Sequence, residues 1–156
     1  MNAETSAGMS MLALATVGDL SPRMHACVPV GAPMWKVVDA MKTHGRGCVL
    51  VVEDTGALVG IFTERDLLSR VDHTDVLWSH VVVSDIMTPH PMVIRTADSL
   101  AEAMRRLTQG RRRHLPIVDD HGTVIGLMSI RDILTYIASR FPEDMMNLPP
   151  DPNHES

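Results

Sequence analysis

The chain has 156 residues, 45% hydrophobic and 21% charged, with a net charge of −5 when its eight histidines are neutral. That length suits one compact domain or two small units sharing a core. The acidic balance argues against a general polyanion-binding surface, though not against a local basic patch.

In chain order, residues 1–10 are expected to be disordered, and Met11–Val17 reads as a short helix packing on the rest. Cys27–Val30 fits a short strand. Pro33 suits the first turn of a helix, and Met34, Val37, Val38 and Met41 form its apolar stripe at i, i+3, i+4, i+7. Gly45 is its expected stop. Val49–Val52 and Leu58–Phe62, joined by Glu53-Asp54-Thr55-Gly56, carry a hairpin signature. A helix follows from Thr63. His73, Thr74 and Asp75 look loop-like, and Val76–Val83 begins a helix or a strand. Met92–Arg95 is the next strand. Ser99-x-x-Glu102 gives a capping box to a helix with the stripe Leu100, Ala103, Met104, Leu107, stopped at Gly110. Leu115–Val118, the turn Asp119-Asp120-His121-Gly122 and Val124–Met128 form a second hairpin, and a helix opens at Ser129. The Pro-, Asp- and Asn-rich tail from Phe141 is expected to be disordered.

The second half repeats the first at an offset of 66 residues without a gap. Asp19 falls on Asp85, Asp54 on Asp120, Gly56 on Gly122, Gly60 on Gly126, Thr63 on Ser129, Arg65 on Arg131 and Asp66 on Asp132. Each unit reads β-α-β-β-α. The fold class is therefore α+β: two repeats with pseudo-two-fold symmetry, their small sheets packed face to face with flanking helices. The nearly all-apolar strands imply that each sheet's inner face is covered by its twin. A unit of about 55 residues is marginal alone. The boundaries read 1–16 for an N-terminal segment, 17–71 for repeat 1, 72–83 for a linker, 84–140 for repeat 2 and 141–156 for the tail.

With two cysteines, Cys27 and Cys48, both in or beside apolar runs, neither a disulfide framework nor a zinc site is in view. A reducing, cytoplasmic compartment fits. The N-terminus lacks the basic region of a signal peptide, and no apolar run approaches the ~20 residues of a membrane-spanning helix. Aromatics are only 3%, so aliphatic side chains and 12 methionines fill the core. Trp35 and Trp78 are expected in packing or dimer contacts. No nucleophile–base pair or metal constellation emerges, so an enzyme is not expected.

The doubled order of apolar strand, Asp-x-Gly turn, G-h-h-[ST]-x-x-D and helix resembles a tandem pair of cystathionine-β-synthase (CBS) domains, the Bateman module. VSDIMTPHPMVIRTADSLAEAMRRL is similar to the opening of a second repeat in that family, and RRRHLPIVDDHGTVIGLMSIRDIL to its close. The resemblance covers roughly Val17 to Ile137. It implies a stand-alone regulatory module that binds an adenosine-containing ligand (AMP, ADP, ATP, S-adenosylmethionine or NAD), commonly dimerises and signals to an effector protein. No obligatory cofactor, metal or membrane is implied.

Thr63-Glu64-Arg65-Asp66 and Ser129-Ile130-Arg131-Asp132 read first as capping boxes. By resemblance, Asp66 and Asp132 hold ribose hydroxyls, and Thr63 and Ser129 hold ribose or phosphate beside a helix N-terminus. Arg65 and Arg131 pair with a carboxylate or cover a phosphate. Arg113 and His114, just before a strand, occupy family positions that reach phosphates, and arginine's planar fork suits that task. Arg111 reads as a solvated cation at a helix end. The first repeat offers Arg46-Gly47-Cys48 instead, so the second cleft, with Asp132, is expected to favour polyphosphates. Val28, Ile61, Val93 and Leu127 are the expected adenine lining. Two other readings remain: a structural dimer with vestigial clefts, and a weak nucleic-acid binder through Arg111–Arg113, which few aromatics and the acidic charge disfavour.

Overall fold

A computed structural model describes residues 10–21, 25–44 and 47–140. The expectations for residues 1–9, Gly45, Arg46 and the tail from Phe141 lie outside the described residues. Residues 10–14 are helical, Ser10 included. In order there follow β1 (Cys27–Pro29), α1 (Met34–His44), β2 (Cys48–Val52), β3 (Leu58–Thr63), α2 (Glu64–Arg70), α3 (Val83–Ile86), β4 (Thr88–Pro89), β5 (Ile94–Arg95), α4 (Leu100–Gln109), β6 (His114–Val118), β7 (Val124–Ser129) and α5 (Ile130–Arg140). Single 3-10 turns occupy Val17–Leu20 and Trp78–His80.

The strands make a four-stranded sheet ordered β1-β2-β3-β4 and a three-stranded sheet ordered β5-β6-β7. β1 runs parallel to β2, and β5 to β6, with α1 and α4 as the crossovers. The hairpins β2–β3 and β6–β7 carry the same register shift, at Val51/Val52 and Ile117/Val118. Gly56 and Gly122 turn them at φ +84° and +83°, angles that glycine adopts without steric cost.

Of the expected stripes, Met34, Val37 and Met41 on α1 and Leu100, Ala103 and Leu107 on α4 are buried, while Val38 and Met104 are half-buried at their edges. Half of the expected capping box forms on α4. Ser99 Oγ accepts the Glu102 N–H at 3.1 Å. The Glu102 carboxylate instead accepts from Arg105 at 2.6 and 2.7 Å and from Arg106 at 2.6 Å. Hydrogen bonds from Arg105 and then Arg106 hold its pKa down to about 2. Arg106 also donates to the Val93 carbonyl, so this cluster ties α4 to the chain entering β5.

Each half has its own core. One cluster places Val28, Met34, Val37, Val49, Val51 and Phe62 between the first sheet and its helices. The other does the same with Ile94, Leu100, Leu107, Leu115, Ile117 and Ile133. Between the sheets lies a smaller cluster of Cys48, Leu50, Ile61 and Leu127.

Backbone contacts cross from one half to the other in symmetry-related pairs. Thr16 bridges Ser99, and Pro33 bridges Val82, the same two positions exchanged at the 66-residue offset. Leu58 donates to Gly122 at 3.1 Å and Val124 to Gly56 at 3.3 Å. β4 follows the same logic. It precedes the second repeat's first strand in sequence, yet it pairs with β3 of the first, Gly60 opposite Pro89 and Ile61 opposite Thr88. The sequence gives no strand signal there, because a two-residue strand containing proline is tolerated only at a sheet edge.

Truncation within the inter-sheet cluster tests this interdependence. Leu50→Ala is expected to cost about 2–5 kcal/mol, in one urea transition seen alike by Trp35 and Trp78 fluorescence and by circular dichroism; two separated transitions would contradict it. A pH test addresses Glu102. Its depressed folded pKa means that the stabilisation is present above the ordinary carboxylate range and is lost as pH falls through about 2. Glu102→Gln should therefore lose less melting temperature than wild type when the pH is lowered into that range. Equal losses would show that the pair contributes nothing.

Candidate functional site

Both hairpins end in a hydroxyl residue that is tied to the acid three positions on, in the first turn of the next helix. Thr63 Oγ accepts the Asp66 N–H at 3.3 Å, while Asp66 Oδ2 accepts the Thr63 N–H at 2.9 Å and its hydroxyl at 2.7 Å. Asp132 Oδ2 likewise accepts from the Ser129 N–H at 2.7 Å and hydroxyl at 2.9 Å. Capping is therefore a task that Thr63 and Asp66 perform. Asp66 is 8% exposed, and its Oδ1 also meets Arg70 Nε at 3.2 Å. A carboxylate has about four lone-pair sites, so Oδ1 retains room for one more donor.

A cavity of about 460 Å³ opens beside Asp66, within the ~300–1,000 Å³ range of small-ligand sites. Its wall comes from both repeats. Gly47, Ile61 and Thr63–Asp66 belong to the first; Thr88, Pro91, Met92, Arg111–His114 and Pro116 belong to the second. Ile61, Pro91, Met92 and Pro116 supply apolar surface. Glu64, whose carboxyl lies near Gly47, brings a second acid.

The offset explains why there is space. Cys48 and Leu50, buried against Leu127 between the sheets, correspond to His114 and Pro116. Those substitutions replace two apolar side chains of the inter-sheet layer with a ring and a polar group that face the cavity.

The arginines enter from the end of α4. Arg112 N–H reaches the Leu107 carbonyl at 3.0 Å and Arg111 N–H the Thr108 carbonyl at 3.2 Å, the paired bonds of a Schellman termination. The left-handed residue is Arg111, at φ +47°, whereas Gly110 keeps helical angles at φ −80°. The helix thus stops at Gly110 as expected, with the left-handed position one residue later. A left-handed non-glycine residue costs roughly 1–2 kcal/mol. Gly110 leaves room for the Arg112 side chain: a Cβ there would stand 2.7 Å from Arg112 Nε and 3.0 Å from the Arg106 carbonyl oxygen.

Ion pairs among the described residues engage Arg70, Arg95, Arg105 and Arg106. The guanidiniums of Arg65, Arg111, Arg112 and Arg113 have no ion-pair or hydrogen-bond partner among the described residues. The cavity thus gathers four uncompensated guanidiniums in a chain of net charge −5.

The sequence grouping is redrawn by this geometry. Thr63, Arg65, Asp66, Arg113, His114 and Ile61 share the cavity, while Ser129, Arg131 and Asp132 lie outside it. Arg113 and His114 therefore face the first repeat's acid, not Asp132. Asp132 lines a separate depression of about 210 Å³ with Asp19 and Tyr136, where hydrogen bonds from the Thr16 backbone and then its hydroxyl hold the Asp19 carboxyl below its usual range. Of the expected adenine lining, Val28 is instead buried in the first core and Leu127 between the sheets. Val93 is half-buried off the wall, its carbonyl taken by Arg106. Glu64, Thr88, Pro91, Met92 and Pro116 were not foreseen, and Arg111, read from sequence as a solvated cation, lies on the cavity wall. The basic run announced Arg112, but no sequence signal aims the rest. Trp35 is 52% exposed, so it is not core packing, whereas Trp78 packs on the first core and meets His73 edge-on at 5.4 Å. No helix among the described residues is long and apolar enough to cross a membrane.

The family model of the CBS domain matches residues 17–73 and 83–139. An uncharacterized protein of Methanopyrus kandleri is 32% identical over 136 residues, 83% of this chain and 68% of its own length. CBS domain-containing protein CBSCBSPB2 of Arabidopsis thaliana is 40% identical over 111 residues, 70% of this chain but only 20% of that protein. The chain thus spans a small part of some relatives it matches. Among solved structures, CBSX2 in complex with AMP superposes at a TM-score of 0.70 with 30% identity, covering 81% of this chain and 98% of that one. A putative signal-transduction protein with CBS domains from Burkholderia ambifaria gives a TM-score of 0.70 at 30% identity, covering 80% and 95%. On the two matched repeats and the shared fold, this chain is a member of the CBS domain family, built as a tandem pair.

Proposed function

We propose that the pair is a regulatory sensor that binds an adenosine-containing nucleotide in the composite cavity and passes the signal to an effector protein. The observation that carries this reading is the convergence of the Thr63–Asp66 cap and the Arg111–His114 run on one cavity. Asp66 Oδ1 and the hydroxyl of Thr88 take the ribose. Ile61, Pro91, Met92 and Pro116 accommodate the base, with the methionine sulfur suited to an aromatic edge. The arginines and His114 take phosphate. At seven residues, α2 is too short for its dipole to replace that charge. The bound complex of CBSX2 with AMP supports the ligand class. Extended nucleic acid is disfavoured, because Glu64 and Asp66 share the wall with the arginines.

The ligand contacts both repeats, so it stabilises their relative arrangement, which is what an effector can read. We place a second copy of the chain in the same scheme. Leu68 and Leu134 occupy matching positions on α2 and α5 and are 78% and 55% exposed, an apolar pair suited to a self-complementary face.

A nucleotide at about 100 times its Kd adds about 2.7 kcal/mol of stability, so AMP, ADP or ATP should raise the melting temperature. Silence from all of these and from S-adenosylmethionine and NAD, at millimolar concentration, would leave the structural reading with vestigial clefts. Where a shift occurs, Asp66→Asn should weaken affinity by about tenfold or more, and Asp132→Asn much less, with circular dichroism confirming both folds. Equal losses would place the ligand elsewhere. In sedimentation velocity, wild type should run as a dimer and Leu68→Glu/Leu134→Glu as a monomer; identical profiles exclude this face.

A further inference from the structure

We infer that the Arg111–Arg112 turn is a polyphosphate clamp that makes the cavity prefer adenosine di- and triphosphates to the monophosphate. The inference rests on the nucleotide reading above and deepens it. Position 111 is the left-handed residue of a Schellman turn, where glycine is favoured. The equivalent residue of the first repeat is Gly45. The second repeat puts arginine there, against the backbone preference, and that arginine lines the cavity. Backbone strain held at a cleft wall is a sign of use.

Arg112 is accommodated by a second device. Its Nε would stand 2.7 Å from a Cβ at position 110, so only glycine lets its side chain fold back there. Earlier on the same helix, Arg105 and Arg106 are paired with Glu102, and Arg106 also with Asp98. The guanidiniums of Arg111 and Arg112 have no partner among the described residues. The charge balance points the same way. Asp66 is matched by Arg70, which leaves Arg65 and Arg111–Arg113 facing Glu64, an excess of three positive charges (four minus one) with His114 neutral. A monophosphate brings only about −1.5 to −2. A longer phosphate chain completes the match.

The experiment measures Kd by titration calorimetry for AMP, ATP and inorganic tripolyphosphate on the full chain and on Arg111→Gly. Wild type should bind ATP about tenfold or more tightly than AMP. Arg111→Gly should melt higher by about 3 °C without ligand, because the strain is relieved, yet lose most of that ATP-over-AMP ratio and most tripolyphosphate binding. Arg112→Gln should lose the ratio as well without the rise in melting temperature. An unchanged ratio in both variants, or wild type binding AMP as well as ATP, overturns the clamp and leaves the nucleotide reading standing. Arg111-dependent tripolyphosphate binding with no response to any adenosine compound does the reverse. Binding of neither probe class overturns both.

Discussion

The interaction on which the rest depends is the burial of each sheet's inner face against its twin. Each half packs its helices on one side of its sheet, and the other side has no cover within its own repeat. Cys48, Leu50, Ile61 and Leu127 close that gap, and the Leu58–Gly122 and Val124–Gly56 bonds fix the two hairpins in register at the pseudo-dyad. The chain before each repeat then reaches over to the other, Thr16 to Ser99 and Val82 to Pro33. Non-local backbone pairing of this kind makes the pair one cooperative unit, because neither sheet can satisfy its edges or its inner face alone.

The cavity is a local failure of that same layer. A duplicated sequence could fill both sides of the dyad alike. Here the positions filled by Cys48 and Leu50 on one side hold His114 and Pro116 on the other. Pro116 stands opposite Leu127 in the ladder of β6 and β7, and both residues are buried. The space left is lined by what the neighbouring turns deliver, which is why the charged cavity wall and a packing defect coincide.

How much of this was legible follows from the range of each signal. The hairpins, the stripes of α1 and α4 and the hydroxyl–acid ties at Thr63 and Ser129 are local patterns, and they are in the structure within a residue or two. β4 was not readable, since two residues with a proline carry no periodicity and their partner lies in the other repeat. Glu102 shows a local pattern outcompeted: two arginines on the next turn bind its carboxylate more favourably than one backbone N–H. The grouping of the site failed for a geometric reason. An offset of 66 says which residues are equivalent, such as Asp66 and Asp132, but not which are adjacent. Under a two-fold with exchanged lead-in segments, the α4–β6 turn of one repeat meets the β3–α2 corner of the other.

That adjacency decides what a bound molecule can do. A ligand held wholly within one repeat would stabilise that repeat and leave the other indifferent. One held by Asp66 on one side and Arg113 on the other has differential affinity for arrangements that bring the two walls together, which is the requirement for shifting a conformational equilibrium. The electrostatics sharpen the effect. Four uncompensated guanidiniums repel one another across the wall, and the two acids beside them offset only part of this, one of them already paired with Arg70. An anion that bridges the walls removes that repulsion and joins the two repeats in the same step. The contact most sensitive to their spacing is the thin layer of Cys48, Leu50, Ile61 and Leu127, since Ile61 belongs both to that layer and to the cavity wall. Charge neutralisation at the arginines is therefore coupled through one side chain to the packing that holds the pair together.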